Sequence, residues 1–420
     1  MSIHQALLGG TAPVGEILLA DTAIRIELPP SKHKLAVDRY SAVRSHIERP
    51  DSPLFDRVAY FYPQGSMAIG ATIQSRKRGD GYDIDIIAEL LVSPTLSPAG
   101  VLDLLFEAIN GPKGSRYHGM VERQTRCVTV YYEDGMHLDI TPSSLIDALD
   151  PRRSHIFHAK PEEPAAQHRR LVVNCWAFCE WFNARTPADI DFAKAYGTRA
   201  MTFDAALLAK DASVKEVPAH STEEGGKSTA VVALQLLKRN RNIRYAPRKD
   251  QRMPPSVMMA NFAAQTAMPG TSISGALDVL SGAILAALEA AEGRGQLIDV
   301  ENPKCKGERF TDRWPENRAA QRTYIEDLRI FRKQLAGLMS ENYTLAQKRD
   351  LLVAMFGEGP ADTVVKDYAA RLGRSISTGA RGTAPSGRVI PAAAATGVIS
   401  SPALAQPRGH TFYGSKWPGS

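Results

Sequence analysis

Apolar and polar positions alternate with a period of two in three stretches of the first third of the chain, and that period predicts strands. The stretches are residues 57–66 (RVAYFYPQGS), 81–91 (GYDIDIIAELL) and 124–144 (QTRCVTVYYEDGMHLDITPSS). The last reads as two strands joined by the turn EDGM. Helical spacing appears at 31–48, which opens on a serine, and at 97–111, opened by Ser-Pro and closed by Asn-Gly. From about 168 to 347 the period is mostly helical, with helices expected over 168–185, 228–243, 274–291 and 315–339. The order is a mixed α/β unit followed by a helical one. From about Ser375 the chain turns to Gly, Ala, Ser, Pro and Arg, which predicts a mobile tail before the closing aromatic stretch FYGSKWPGS.

Composition narrows the class. At 420 residues, with 44% hydrophobic and 23% charged positions, the chain has room for two domains. No run is expected to span a membrane, and the N-terminus lacks a basic leader, so neither a membrane nor a secretory role is expected. Four cysteines without a C-x-x-C pair fit a reducing cytoplasm. Cys175 and Cys179 share a helix face, as two metal ligands or as small core residues. The net charge is +6. Past Asp367 the tail carries Arg371, Arg374, Arg381, Arg388, Arg408 and Lys416 and no acid, which equals the whole excess. The globular part therefore carries no strong nucleic-acid signal.

One pattern is costly unless it has a use. Asp83 and Asp85 stand two apart inside an apolar strand, so both carboxylates leave one face. Two adjacent carboxylates repel unless a cation compensates them, and a hard divalent ion prefers such oxygen ligands. Asp139, between Leu138 and Ile140, offers a third acid on another strand, the pattern of a two-metal phosphoryl-transfer centre. Gly65-Ser66 ends a preceding strand, where a glycine admits a phosphate and a hydroxyl can donate to it. The basic loop at Arg76, Lys77 and Arg78 follows.

These residues resemble the DNA polymerase β-like nucleotidyltransferase superfamily. Within it the chain looks like the bacterial cGAS/DncV-like nucleotidyltransferases (CD-NTases), synthases of cyclic oligonucleotide second messengers in anti-phage signalling (CBASS). Gly65, Ser66, GYDIDIIAEL and HLDITPSS carry the match. VVALQLLKRNRNI, PPSVMMANFAAQ and ENPKCKGERFTDRW add to it, over about residues 35–340.

The resemblance implies an α+β fold: a polymerase β-like palm, a mixed sheet flanked by helices, packed against a C-terminal helical domain with a flexible tail. The expected boundaries are 1–165 for the palm with its N-terminal helix, 166–372 for the helical domain and 373–420 for the basic tail. It further implies that Asp83, Asp85 and Asp139 hold two Mg²⁺ ions, with Mn²⁺ able to substitute, and that Asp139 assists deprotonation of the attacking ribose hydroxyl. Gly65 and Ser66 would position the donor triphosphate. Lys238 would touch that triphosphate, and Ser256 would open the next helix beside it. An ammonium and a helix N-terminus aimed at phosphates both suit this chemistry.

The expected activity is joining of nucleoside triphosphates such as ATP and GTP into a cyclic di- or trinucleotide, with release of pyrophosphate. Competing readings are transfer to an RNA, protein or small-molecule acceptor, and a non-catalytic nucleotide-binding scaffold. The tail suggests a handle for C-terminal conjugation or a peptide-binding regulator. EEGGKSTAV (223–231) lacks the first glycine of a P-loop and reads as a surface loop entering the Lys238 helix. His137 is assigned to the strand face opposite Asp139 and to a structural role, and Trp176 and Trp181 to the core.

Overall fold

The computed structural model describes residues 12–74, 82–147, 152–208, 227–378, 381–383 and 389–391. The basic loop at 76–78, the first four residues of EEGGKSTAV and the closing aromatics lie outside the described residues. The chain divides into two compact units, Met1–Ala361 and Asp362–Ser420.

In the first unit, helices α1 (Val14–Ile26) and α2 (Pro30–Ile47) precede strand β1 (Val58–Pro63) and a one-turn helix α3 (Gly65–Ala68). Strand β2 (Asp83–Leu90), helix α4 (Pro98–Asn110) and strands β3 (Val121–Arg123), β4 (Val128–Tyr131), β5 (His137–Leu145), β6 (Ser154–His158) and β7 (Arg169–Val173) follow. The strands make one seven-stranded sheet in the order β1-β2-β5-β4-β3, with β6 on β5 and β7 on β6. Only β2–β5 is parallel; the other pairs are antiparallel.

The period-two pattern sorts the two sheet faces. Ile84, Ile86, Val128, Val130, Leu138 and Ile140 are buried with Val43 and Ile47 of α2 and Val101, Leu102 and Leu105 of α4 in one core cluster. Each such side chain taken from water contributes roughly 1.5–3 kcal/mol. This burial fixes the strand register, since a slip of one residue would turn every side chain over. Asp83, Asp85 and Asp139 are thereby driven onto the other face.

That face is met by helices: α5 (Cys175–Arg185), α6 (Ile190–Leu208), α7 (Thr229–Tyr245), α8 (Ser256–Thr266), α9 (Ile273–Gly293), α10 (Arg318–Met339) and α11 (Leu345–Phe356). At the centre, α7 is buried almost all round, from Thr229 to Arg241. Its polar residues are satisfied individually. Arg239 Nε donates to Phe356 O at 3.0 Å, Asn240 Nδ2 to Met355 O at 3.0 Å and Gln235 Nε2 to Thr72 O at 3.2 Å. The run Lys-Arg-Asn-Arg at 238–241 resembles a solvated face, yet it forms the inside of this half. Helix α12 (Glu358–Ser377) follows, and the second unit also holds the antiparallel pair β8 (Arg381–Thr383) and β9 (Val389–Pro391).

Three expectations need correction. The helix expected over 168–185 starts only at Cys175, because Arg169–Val173 pairs with β6 as a strand and Asn174 caps the helix, accepting from Ala177 N at 2.9 Å. Trp176 is 41% exposed and meets Tyr62 edge-on at 5.3 Å, so it is not core. One described helix, α9, is long and apolar enough to cross a membrane by length and composition, where no such run was expected. Its buried residues Leu277, Leu280, Ile284 and Leu288 belong to the packing of the helical half.

Candidate active site

A cavity of about 450 Å³ lies between the acidic face of the sheet and helices α5, α7 and α8. Gly65, Ser66, Asp83, Asp85, Asp139, Lys238 and Ser256 all line it. Residues up to 191 positions apart in sequence thus share one wall.

Strand pairing builds the acidic centre. Asp85 stands opposite Asp139 across the parallel β2–β5 pair, and Asp83 opposite His137. On the far side of β5, Thr129 of β4 is the direct partner of Asp139, and its Oγ1 donates to Asp139 Oδ1 at 2.5 Å. Burial and then the charges of Asp139 and Asp83 push the Asp85 carboxyl up to about 7, with Lys238 opposing. Burial also raises Asp139, against the pull of the Thr129 hydrogen bond. The site therefore holds more negative charge than its own cations neutralise.

The chemistry of the donors fits a hard divalent cation: all oxygen, all carboxylate, with Asp85 and Asp139 raised by burial and by the neighbouring aspartates. Among the described residues no three His, Cys, Asp or Glu side chains converge into a ready-made metal cage. Mg²⁺ commonly uses one or two carboxylates and completes its shell with substrate phosphates.

The Gly65-Ser66 turn is held from three sides. Gln64 N donates to Asp85 O at 2.8 Å, which ties the turn to β2. Gly65 has φ +57, and a Cβ there would lie 2.6 Å from Asp85 Oδ2, so any other residue strains the turn and displaces the Asp85 carboxylate. Lys238 Nζ reaches across from α7 and donates to Ser66 Oγ at 2.6 Å and Ala71 O at 2.7 Å. Lys238 is only 5% exposed, and burial, helped by the Arg241 charge, lowers it to about 7 against the pull of Asp85 and Asp83. Ser256 opens α8, and its Oγ accepts from Arg241 Nη1 at 2.8 Å.

Several lining residues escaped the sequence reading. Arg241, one turn beyond Lys238, turns to the same cavity; the i, i+3 spacing was the available signal. Glu308 accepts from Asn174 N at 2.8 Å and Asn302 Nδ2 at 2.7 Å, and no sequence signal marks it. Thr129 is not on the cavity wall but bonds Asp139, which is, and was legible only through its strand register.

One assignment changes: His137, two residues from Asp139, shares its face rather than the opposite one; its charge lowers Asp139, and its ring meets Tyr131 edge-on at 4.8 Å. Cys175 and Cys179 line the cavity, and burial raises both thiols, Cys179 to about 12. A second cavity of about 640 Å³ shares Cys175, Val257, Glu308 and Phe310 with the first. Arg126, Arg169, Arg252, Arg309 and Arg313 stand around it.

Residues 59–142, which carry both β2 and β5, match the family described as cyclic GMP-AMP synthase DncV-like, nucleotidyltransferase domain. The chain is similar to the cyclic dinucleotide synthase CdnG of Bradyrhizobium diazoefficiens, 42% identical over 403 residues, covering 96% of this chain and 95% of that one. It is also similar to a c-di-GMP synthase of Roseivirga ehrenbergii, 22% identical over 355 residues, covering 82% and 85%. The solved structure of the Bradyrhizobium diazoefficiens CD-NTase CdnG in complex with GTP matches with a TM-score of 0.71 and 40% identity, over 83% of this chain and 97% of that one.

Proposed function

Since the chain belongs to the DncV-like nucleotidyltransferases of the CD-NTase family, we propose that it joins nucleoside triphosphates, GTP among them, into a cyclic dinucleotide with release of pyrophosphate. The observation that carries this reading is the convergence of Asp83, Asp85 and Asp139 with Gly65, Ser66, Lys238 and Ser256 on one cavity. Support for GTP comes from the relative solved with it.

In this reading Asp83, Asp85 and Asp139 would hold two divalent ions, Mg²⁺ or Mn²⁺, whose chemistry when bound would be charge neutralisation at the α-phosphate and a lowered pKa of the ribose hydroxyl. Asp139 takes the proton from that hydroxyl. The Gly65-Ser66 turn presents backbone N–H groups and the Ser66 hydroxyl to the donor triphosphate. Lys238 adds its ammonium, and the N-terminus of α8 at Ser256 faces the same phosphates. The protein mainly supplies positioning. The arginine-lined second cavity, which shares the wall residues Glu308 and Phe310 with the first, offers room and charge for a second nucleotide.

In this reading the palm is 1–165, the helical half 166–372 and the tail 373–420, although the palm's sheet also takes in β7 (Arg169–Val173) from beyond the first bound. The same reading makes the product an anti-phage second messenger and the compartment the cytoplasm, which suits four free thiols. It leaves the tail as a handle for conjugation or for a peptide-binding regulator.

The test is incubation of the protein with all four NTPs and Mg²⁺ or Mn²⁺, phosphatase treatment and mass spectrometry. A phosphatase-resistant dinucleotide is expected. Linear, phosphatase-sensitive oligomers would point to transfer onto an acceptor, and nucleotide binding without pyrophosphate would leave a scaffold.

A further inference from the structure

We propose that Thr129 is a positioning residue for the transfer, its hydroxyl bond to Asp139 Oδ1 selecting which Asp139 oxygen meets the substrate. This inference rests on the function proposed above.

The geometry comes from the sheet. Thr129 and Asp139 are direct partners across β4–β5, so their side chains stand on the same face, as close as cross-strand neighbours come. Thr129 is 4% exposed, and its β-branched side chain leaves χ1 little freedom. Its hydroxyl has one proton, and the 2.5 Å contact to Asp139 Oδ1 uses it.

The consequence falls on Asp139. With Oδ1 engaged by Thr129, Oδ2 is the oxygen left for a cation or for the ribose hydroxyl. Asp85 needs no such partner, because the Gly65 backbone packs against its Oδ2. Asp139 has no glycine beside it, and Thr129 does the corresponding work. Nucleotide binding at Gly65, Ser66 and Lys238 does not pass through the Thr129–Asp139 bond, so that bond should govern turnover more than affinity.

The test compares Thr129→Val, which keeps the shape and removes the hydroxyl, with Thr129→Ser, which keeps the hydroxyl. We expect Thr129→Val to lower kcat for pyrophosphate release at least tenfold, with KM for GTP within twofold and the melting temperature within a few degrees of wild type. Thr129→Ser should recover most of kcat. Mn²⁺ affinity, measured by calorimetry without nucleotide, should change severalfold in Thr129→Val and less than twofold in Thr129→Ser. A Thr129→Val protein with wild-type kcat and wild-type Mn²⁺ affinity would overturn the proposal. So would a kcat loss that Ser does not rescue and that tracks the melting temperature, since that marks a packing role. If the wild-type protein released no pyrophosphate, the functional reading would fall, and the Mn²⁺ measurement alone would decide the role of Thr129.

Discussion

Replacing Gly65 with alanine tests the site at its tightest point. The new methyl group would lie 2.6 Å from Asp85 Oδ2 and 3.3 Å from its Cγ, at a backbone φ of +57. The left-handed backbone costs an L-residue about 1–2 kcal/mol. The clash is with the tip of one side chain, so Asp85 can rotate away at a further cost of about 1 kcal/mol. Stability should therefore fall by only about 2–3 kcal/mol, and the melting temperature by several degrees. Activity should suffer far more, because relief of the clash moves a carboxylate of the centre by about 1 Å, and misplacement on that scale costs about a hundredfold. The assay is pyrophosphate release coupled to a phosphatase, alongside thermal unfolding. A double-mutant cycle with Asp85→Ala separates the two contributions: in that background Gly65→Ala should keep its backbone cost and lose its effect on the carboxylate. A Gly65→Ala enzyme with kcat/KM within threefold of wild type would refute the reasoning, as would a collapse of the fold.

Asp85→Asn should abolish pyrophosphate release and change the pH dependence of stability. The folded carboxyl sits at about 7, above its unfolded value of about 4, so its contribution is full below pH 4 and lost as pH rises through 7. Without divalent ions the variant should exceed wild type by about 1.4 kcal/mol at pH 5 and by about 4 kcal/mol at pH 8; equal shifts in melting temperature at both values would contradict this. Lys238→Met removes the ammonium that bridges Ser66 Oγ and Ala71 O while filling a similar volume. GTP affinity by calorimetry should weaken at least tenfold with a melting temperature within a few degrees of wild type, and unchanged affinity would remove Lys238 from the phosphate site.

The acids and the glycine were legible in the sequence because their local cost is high. A D-x-D pair in an apolar strand and a Gly-Ser at a strand end both demand compensation, and period-two alternation places them on one face of the sheet without knowledge of the rest. That pattern, with the third acid in HLDI, was enough to suggest the chemistry and the family. The helix lysine was a different matter. Nothing local in LLKRNR separates a buried ammonium from a solvated one; only the packing of α7 against its neighbours puts Lys238 against Ser66. Arg241, Glu308 and Thr129 lay further from reach, because each is defined by a partner 15 residues away in the case of Ser256, 134 in the case of Asn174 and 10 in the case of Asp139. The error at His137 was one of counting, since residues two apart on a strand share a face. The error over 168–174 was physical: an apolar run of five or so residues fits a helix or a strand equally until pairing with β6 decides it. The sequence by itself thus determined which residues could not be there for free, since desolvation and backbone strain are local costs. The tertiary structure alone decided which of the ordinary-looking residues answer them, since a hydrogen bond or a cavity wall exists only once distant segments have met.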